Sequence, residues 1–160
     1  MANTVTTTLI FLKKEDKVLL ALKKRGFGEG KWNGVGGKLE ENETEKEAAI
    51  RETKEEINVT ISDIEQSAML HFIYPKKGIT YYPVSVYVAH SWTDEPQETE
   101  EMRPKWYSID QLPLKEMWDD DQYWLQRVLG GEKIIGCFVF DTKNIVQSHT
   151  ITPIKSFTNH

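Results

Sequence analysis

Short apolar runs separated by polar connections recur along this 160-residue chain, and amphipathic helical patterns interrupt them twice. β-Branched and aliphatic residues bounded by polar or turn residues are typical of strands. The predicted strands cover residues 4–12, 18–22, 69–74, 82–90, 105–108, 134–140 and 145–151. The predicted helices cover residues 45–57 and 121–129, and residues 75–78 form a predicted turn. Strands around two helices indicate a mixed sheet with helices on its faces.

The first helix has a clear signal at each end. Thr44 followed three residues later by Glu47 is a capping box, and Asn58 tolerates the left-handed conformation that ends a helix. At about 100° per residue, one side of this helix carries mostly apolar or uncharged residues and is predicted to be buried. That side consists of Ile50, Thr53 and Ile57.

The opposite side of the helix carries three carboxylates within an arc of about 100°, with small Ala48 one turn earlier. They belong to Glu52, Glu55 and Glu56. Like charges at this spacing destabilise a helix unless something neutralises them. Carboxylates are hard ligands and residues 37–59 contain no Cys or His, so the pattern favours Mg²⁺, or Mn²⁺, over Zn²⁺. Mg²⁺ takes phosphate oxygens as further ligands, which indicates a phosphate-ester or nucleotide substrate. The alternative is a solvated acidic helix face.

A glycine-rich segment precedes the acidic helix and favours the metal site over the solvated acidic face. Residues 25–37 contain six of the ten glycines, and clustered glycine lets a backbone approach a ligand or fold tightly against a helix. Gly37, Glu43 and residues 51–59 have a spacing that resembles the Nudix box, Gly-x5-Glu-x7-Arg-Glu-aliphatic-x-Glu-Glu-x-Gly-aliphatic. Thr53 replaces an aliphatic residue and Asn58 replaces the second glycine. The resemblance implies an α/β (α+β) fold, the Nudix α/β/α sandwich with a mixed central sheet, as one domain over residues 1–160.

Two further segments are similar to Nudix enzymes that degrade oxidised purine nucleoside triphosphates. They are residues 20–38 and 100–124. The resemblance implies that three side chains hold the purine edge, Asn33, Asp120 and Asp121. It also implies that three aromatic residues pack around the base, Phe27, Phe72 and Trp118, with Lys23 as a further pocket residue. Glu101 corresponds to a metal-binding carboxylate outside the box.

Each of these assignments has a structural alternative. The aspartates at 119–121 could cap the second helix. Phe27 and Trp118 could be core aromatics, and Asn33 could be a turn residue. Glu101 could lie in a solvated loop, and Arg51 could make a surface ion pair. Against simple capping, adjacent carboxylates in a dry pocket share a proton and so offer one donor and one acceptor to a base.

One further position departs from the similar enzymes. Asp119 stands where they have proline. Its extra charge is expected either to raise the proton affinity of the neighbouring aspartates or to tilt the loop.

These inferences combine into an expected reaction. Mg²⁺ is held by the Gly37 carbonyl and by carboxylates from Glu52, Glu55, Glu56 and Glu101, while Arg51 orients a box glutamate. A box glutamate takes the proton of the attacking water; the resemblance favours Glu52 and leaves Glu55 open. Substrates of the 8-oxo-dGTP or 2-hydroxy-dATP type would give a monophosphate and pyrophosphate, which cleanses the nucleotide pool.

Two other functions stay open at this stage. The first is a Nudix hydrolase that acts on a dinucleoside polyphosphate, ADP-ribose or capped RNA. The second is a non-catalytic nucleotide-binding module, which the intact set of box carboxylates disfavours because a binder has no need for so costly a charge cluster.

Composition limits the partners and the cellular location to be expected of the protein. A net charge of −5 argues against stable nucleic-acid binding, because phosphate backbones attract basic surfaces. The lone Cys137 excludes an internal disulfide and favours the cytoplasm. Residues 1–12 lack the pattern of a signal peptide or a membrane span. The family resemblance implies a monomer.

Overall fold

A computed structural model describes residues 3–75 and 80–157 of the chain. The strands are β1 (Asn3–Thr4), β2 (Thr7–Lys14), β3 (Lys17–Lys23), β4 (Trp32–Asn33), β5 (Val35–Lys38), β6 (Thr60–Ile61), β7 (Ile64–Tyr74), β8 (Thr80–Ala89), β9 (Trp92–Thr93), β10 (Met102–Ser108), β11 (Lys133–Phe140) and β12 (Val146–Ile154). The helices are α1 (Glu45–Ile57) and α2 (Asp121–Leu129), with 3₁₀ turns at Ile109–Gln111 and Leu114–Glu116.

Within the described residues, ten strands form one mixed sheet. Its main path runs β10-β3-β2-β8-β7-β11-β12, with β1 added to β8, β4 to β3 and β5 to β2. The pairs β2–β8 and β7–β11 are parallel, whereas β7–β8 and β2–β5 are antiparallel. A separate two-stranded sheet joins β6 to β9. The sheet therefore holds the glycine-rich strand β5 next to β2.

The sheet separates two hydrophobic cores, because alternate residues of a strand face opposite sides. On β3, Val18 and Leu20 belong to the core that contains Trp124 of α2. Leu19 and Ala21 belong to the core that contains Ile57 of α1. This arrangement places one helix on each face of the sheet, so the predicted α/β/α sandwich is confirmed.

Helix α1 has the predicted boundaries for the predicted reasons. The Thr44 hydroxyl accepts a hydrogen bond from the Glu47 N–H, and the Glu47 carboxylate accepts one from the Thr44 N–H. Asn58 ends the helix in the left-handed conformation, with φ 61°. Thr53 is fully buried, and its hydroxyl donates to the Ala49 carbonyl at 2.8 Å. A polar residue is therefore tolerated at this aliphatic position because the helix itself satisfies its hydroxyl.

The structure corrects several predicted boundaries. The glycine-rich segment contains strands β4 and β5 and is not wholly irregular. The third predicted strand, residues 69–74, is too short, since β7 begins at Ile64 and pairs with β8 through a bulge between Gln66 and Ala68. The last strand spans Val146–Ile154 and so extends beyond the predicted end at residue 151. The predicted turn at residues 75–78 lies, apart from Pro75, outside the described residues.

We predict that Gly36→Ala strongly destabilises the protein. A Cβ at Gly36 would lie 1.9 Å from the Thr8 carbonyl oxygen on β2, a backbone atom that cannot move aside. The free energy of unfolding, measured by urea denaturation, should fall by about 3 kcal/mol or more. Gly30→Ala is the control, because Gly30 has open space around it but a φ of 84°; it should cost only about 1 kcal/mol. Equal losses for both variants would contradict the close packing of β5 on β2.

Candidate active site

The acidic side of α1 packs against β5 rather than facing open solvent. A Cβ at Gly37 would lie 2.6 Å from the Glu52 carboxyl carbon, so the Glu52 carboxylate can occupy this position only because residue 37 has no side chain. Glu56 is 9% exposed and Glu52 is half-buried, whereas Glu55 is exposed. The alternative of a solvated acidic helix face therefore does not hold for Glu52 and Glu56. The absence of a side chain at Gly37 lets the Glu52 carboxylate lie against β5.

Arg51 holds the box glutamates in place. Its Nε and Nη2 donate to the two carboxylate oxygens of Glu43 at 2.7 and 2.9 Å, and Nη1 donates to Glu52 at 2.8 Å. Nη1 also reaches Glu55 at 3.2 Å, and Nη2 donates to the Lys38 carbonyl at 3.2 Å. The Arg51 guanidinium lowers the pKa of Glu43 to about 2. Arg51 thus connects α1 with the loop before it. Its role is therefore larger than that of a surface ion pair.

Glu56 is the carboxylate of the helix whose ionised form is most disfavoured by its surroundings. Burial raises its pKa to about 7, Lys23 opposes this rise, and the charges of Glu52 and Glu101 add to it. One Glu56 oxygen, Oε2, is buried without a hydrogen-bond partner among the described residues. Burial likewise raises the pKa of Glu52, against the effect of Arg51. Both groups would gain from a cation placed between them.

Glu101 approaches the same carboxylates from a different loop. The Thr99 hydroxyl donates to the Glu56 carbonyl at 2.8 Å and anchors this loop to the end of α1. Arg25 binds the Glu101 carboxylate through Nε at 2.9 Å and also through Nη2. Arg25 lowers the pKa of Glu101, chiefly through this hydrogen bond. Glu101 is therefore an ordered, paired residue and not simply part of a solvated loop.

In the structure, the side chains of these acidic residues are not arranged around one common point. No group of three His, Cys, Asp or Glu with the geometry of a metal site occurs in residues 3–75 and 80–157. One carboxylate oxygen each of Glu52 and Glu55 accepts a hydrogen bond from Arg51, and one of Glu101 accepts from Arg25. The donor set nevertheless fits a hard divalent cation, since it offers carboxylate oxygens and one of them is a buried atom without a partner.

A cleft of about 740 Å³ runs from α1 to the start of α2. Three predicted residues line what we call its helix side, Gly37, Glu52 and Glu56. Seven predicted residues line the rest of it: Lys23, Phe27, Asn33, Phe72, Trp118, Asp120 and Asp121. Arg51, Glu55 and Glu101 are not among the described residues that line this cleft. All predicted substrate-binding residues therefore share one cavity.

Asp120 and Asp121 define the opposite end of the cleft, which we call the aspartate side. Both are 3% exposed, and Asp120 Oδ2 accepts a hydrogen bond from Trp124 Nε1 at 2.7 Å. Burial raises the pKa of both carboxyls, and that of Asp121 is raised further by the charge of Asp120. One proton shared between two adjacent carboxylates leaves one donor and one acceptor for a ligand. Asp121 Oδ2 is buried without a partner within the described residues.

Simple helix capping does not explain these aspartates. Asp120 occupies the N-cap position of α2, yet its side chain makes no cap hydrogen bond in the described part of the chain. Asp119 instead accepts hydrogen bonds from Gln122 Nε2 and from the Val146 N–H, both at 2.9 Å. Its charge raises the pKa of Asp120, after the larger effect of burial, as expected for the position where similar enzymes have proline.

The aromatic residues differ in how they are placed. Phe27 is 67% exposed, so it is not a core residue, and its ring centroid lies 5.1 Å from that of Trp118. Phe72 packs edge-on against Phe138 and Phe140, with centroids 5.7 and 5.6 Å away. Phe27 and Trp118 thus form one wall of the cleft, and the Phe27 ring is largely exposed to solvent.

Asn33 makes a local hydrogen bond and also lines the cleft. Its Oδ1 accepts a hydrogen bond from the Gly34 N–H at 2.8 Å, as expected of a turn residue, but Asn33 lies in strand β4 and lines the cleft. Among the described residues, no hydrogen bond of the Asn33 side-chain amide nitrogen is found, so it is available to a ligand. Lys23, at the end of β3, places its positive charge near Glu56.

Several cleft residues could not be identified from sequence patterns. They include Thr8, Lys31, Tyr74, Tyr82 and Met102. Thr8 Oγ1 is buried without a hydrogen-bond partner among the described residues. Tyr74 and Tyr82 lie on the same face of the β7–β8 pair as the predicted residue Phe72. Finding them from Phe72 would require the register of the two strands, which the sequence does not contain.

The fold and the box residues together define a Nudix domain, and the NUDIX domain model matches residues 2–128. The chain belongs to the Nudix family, and its prediction as a Nudix hydrolase is confirmed. It is 34% identical over 157 residues to the oxidized purine nucleoside triphosphate hydrolase of Mus musculus, covering 98% of this chain and all of that protein. The protein of the same name from Danio rerio is 35% identical over 148 residues, covering 92% and 94%.

Solved structures share the fold at lower sequence identity. A MutT protein from Bacillus halodurans superposes with a TM-score of 0.80 at 22% identity, covering 92% of this chain and 97% of its own. A MutT Nudix hydrolase from Burkholderia pseudomallei gives 0.64 at 24% identity, covering 69% and 88%. Nudix hydrolases generally need a divalent metal. None of the helices in the described residues has the length and apolar character needed to cross a membrane.

We predict that Glu56→Gln stabilises the metal-free protein at neutral and alkaline pH. The folded-state pKa of about 7 lies above the ordinary glutamate value of 4.5, so ionising Glu56 costs folding free energy above pH 4.5, in full above pH 7. The variant should gain on the order of 1–3 kcal/mol at pH 8 in urea denaturation with EDTA. This gain should vanish as the pH falls towards 4.5. A gain that stayed constant from pH 8 to pH 4.5 would contradict the raised pKa.

Proposed function

We propose that this chain hydrolyses oxidised or modified purine nucleoside triphosphates, of the 8-oxo-dGTP and 2-hydroxy-dATP type, to the monophosphate and pyrophosphate. One observation carries the proposal: a single cleft is lined by Glu52 and Glu56 at one end and by Asp120 and Asp121 at the other. The helix side suits a triphosphate with its cation, and the aspartate side suits a polar base. The mouse and zebrafish relatives, named for oxidised purine triphosphates, support the substrate class.

The proposed metal ligands are the carboxylates of Glu52, Glu55, Glu56 and Glu101 together with the Gly37 carbonyl. Mg²⁺ bound there would neutralise charge on the triphosphate and in the transition state. Arg25 binds only Oε1 of Glu101, so the second carboxylate oxygen is the one proposed to join this set. The Thr99 hydroxyl holds this loop beside the end of α1. Arg51 keeps the Glu52 carboxylate at the cleft wall by donating to it at 2.8 Å.

A carboxylate of the box takes the proton from the attacking water. Glu52 is the preferred base, because it lines the cleft and Arg51 fixes its carboxylate. Glu55 is exposed and lies outside the described lining of the cleft, which supports Glu52 over Glu55. Lys23 lies where its charge can meet a substrate phosphate or sugar oxygen between the two ends.

Base selection would come from the aspartate side. A carboxyl pair that shares one proton presents a donor and an acceptor to the purine edge. The Asn33 amide adds a further polar contact, while Phe27, Phe72 and Trp118 cover the faces of the base. Such a site recognises a modified purine by the hydrogen bonds that its altered edge can make.

The proposed substrate also indicates where the protein works. Nucleoside triphosphate pools lie inside the cell, so we assign the activity to the cytoplasm. The cleft is lined within one chain, and we propose that the monomer is the active unit.

We predict a clear order of substrates. With Mg²⁺ present, kcat/KM for 8-oxo-dGTP or 2-hydroxy-dATP should exceed that for dGTP and ADP-ribose by about tenfold or more, the effect of one good polar contact. A pyrophosphate-release assay over these four compounds measures the order. Preference for ADP-ribose would refute the proposed substrate class, and binding without any pyrophosphate release would indicate a nucleotide-binding module.

We predict that Glu56→Gln abolishes turnover in a protein that stays folded. Removal of a metal-binding carboxylate should lower kcat by about 100-fold or more at saturating Mg²⁺. Glu47→Gln is the matched control, because Glu47 lies on the same helix, is exposed, and is not among the described residues that line the cleft. Near-normal activity of Glu56→Gln with added Mg²⁺ would refute the metal assignment.

A further inference from the structure

Tyr74 occupies a fixed position in the wall of the cleft. It lies at the end of β7, is 8% exposed, and lines the same cavity as Asp120 and Asp121. The Phe140 ring stacks on it in parallel, with centroids 4.5 Å apart, and the Tyr82 ring meets it edge-on at 5.5 Å. A ring held from two directions keeps its hydroxyl in one place, which is what selective recognition needs.

Burial and nearby charges, including those of the aspartate pair, affect the Tyr74 phenol. Burial raises the pKa of Tyr74, and the charges of Asp120, Tyr82 and Asp121 raise it further. The Tyr74 hydroxyl therefore lies within electrostatic reach of both carboxyls and stays protonated at physiological pH. A neutral phenol can both donate and accept a hydrogen bond, whereas an ionised carboxylate can only accept.

We infer that Tyr74 is a further specificity-determining residue, whose hydroxyl hydrogen-bonds the purine edge that Asp120 and Asp121 hold. The inference rests on the proposed function and extends it. Tyr74 lines the cleft together with these aspartates, so a purine held by them is expected to meet its hydroxyl. A pyrimidine base has one ring fewer and is expected to make less of this contact.

Tyr82 has a supporting role in the same wall. It also lines the cleft, and it is the cross-strand partner of Phe72 in the β7–β8 pair. Its ring edge rests against Tyr74, so it restricts the orientation of the Tyr74 ring. Tyr82 is therefore a positioning residue in this account, and Tyr74 makes the contact with the base.

The test removes only the hydroxyl. Tyr74→Phe keeps the ring that stacks on Phe140, and Tyr74→Met is a second hydroxyl-free variant in case the first does not fold. Binding of 8-oxo-dGMP without metal, measured by calorimetry, should weaken about tenfold, the value of one hydrogen bond. In turnover, KM for 8-oxo-dGTP should rise by a similar factor while kcat stays the same. Slow hydrolysis of dCTP should not change.

A matched control separates the loss of this contact from the general effect of removing a buried tyrosine hydroxyl. Tyr87 is 7% exposed on the neighbouring strand β8, belongs to the core on the α1 face, and is not among the described residues that line the cleft. Tyr87→Phe should therefore bind 8-oxo-dGMP like the unaltered protein. Both variants should keep their thermal midpoints within a few degrees of the unaltered protein.

Two results would overturn the inference. One is an unchanged affinity of Tyr74→Phe for 8-oxo-dGMP. The other is an equal loss of kcat/KM for 8-oxo-dGTP and dCTP, which would give Tyr74 a purely structural role. Failure of the proposed function looks different: the unaltered protein would then release no pyrophosphate from any purine triphosphate, and the affinities for 8-oxo-dGMP would still decide the role of Tyr74.

Discussion

The contact between the Glu52 carboxyl group and the bare backbone of Gly37 is the constraint on which the rest of the site depends. A side chain on Gly37 would displace the Glu52 carboxyl group from this position, because its Cβ would lie 2.6 Å from the carboxyl carbon. With glycine there, the acidic side of α1 is partly buried on β5. Arg51 then fixes Glu52, Glu43 and the Lys38 carbonyl to one another, so helix, loop and strand form one rigid unit.

The cleft brings together two acidic centres that come from opposite faces of one sheet. Glu52 and Glu56 belong to α1 on one face, and Asp120 and Asp121 begin α2 on the other. Burial raises the pKa of all four carboxyls, so ionising them costs folding free energy at neutral pH. The two hydrophobic cores have to offset that cost. Such local costs are expected where a site must bind a cation and a polar base.

The sequence predicted most where a local signal decides the structure. The capping box at Thr44 and the left-handed Asn58 set the ends of α1 without help from the rest of the fold. The Nudix box located the residues on the helix side of the cleft. Burial of the acidic face could not be predicted, because it depends on how closely β5 approaches α1. The pairing of Arg25 with Glu101 joins residues 76 positions apart, and Tyr74 enters the cleft through strand register, so neither has a local signal.

The central claim is that a divalent cation binds between Glu52 and Glu56, at the end of the cleft away from the aspartates. Crystals grown with Mn²⁺ and a slowly hydrolysed purine triphosphate analogue would test this claim through the anomalous scattering of manganese. The account predicts an anomalous peak within coordination distance of both carboxylates and of the phosphates. A triphosphate seated in the cleft with its manganese peak away from both glutamates would contradict it.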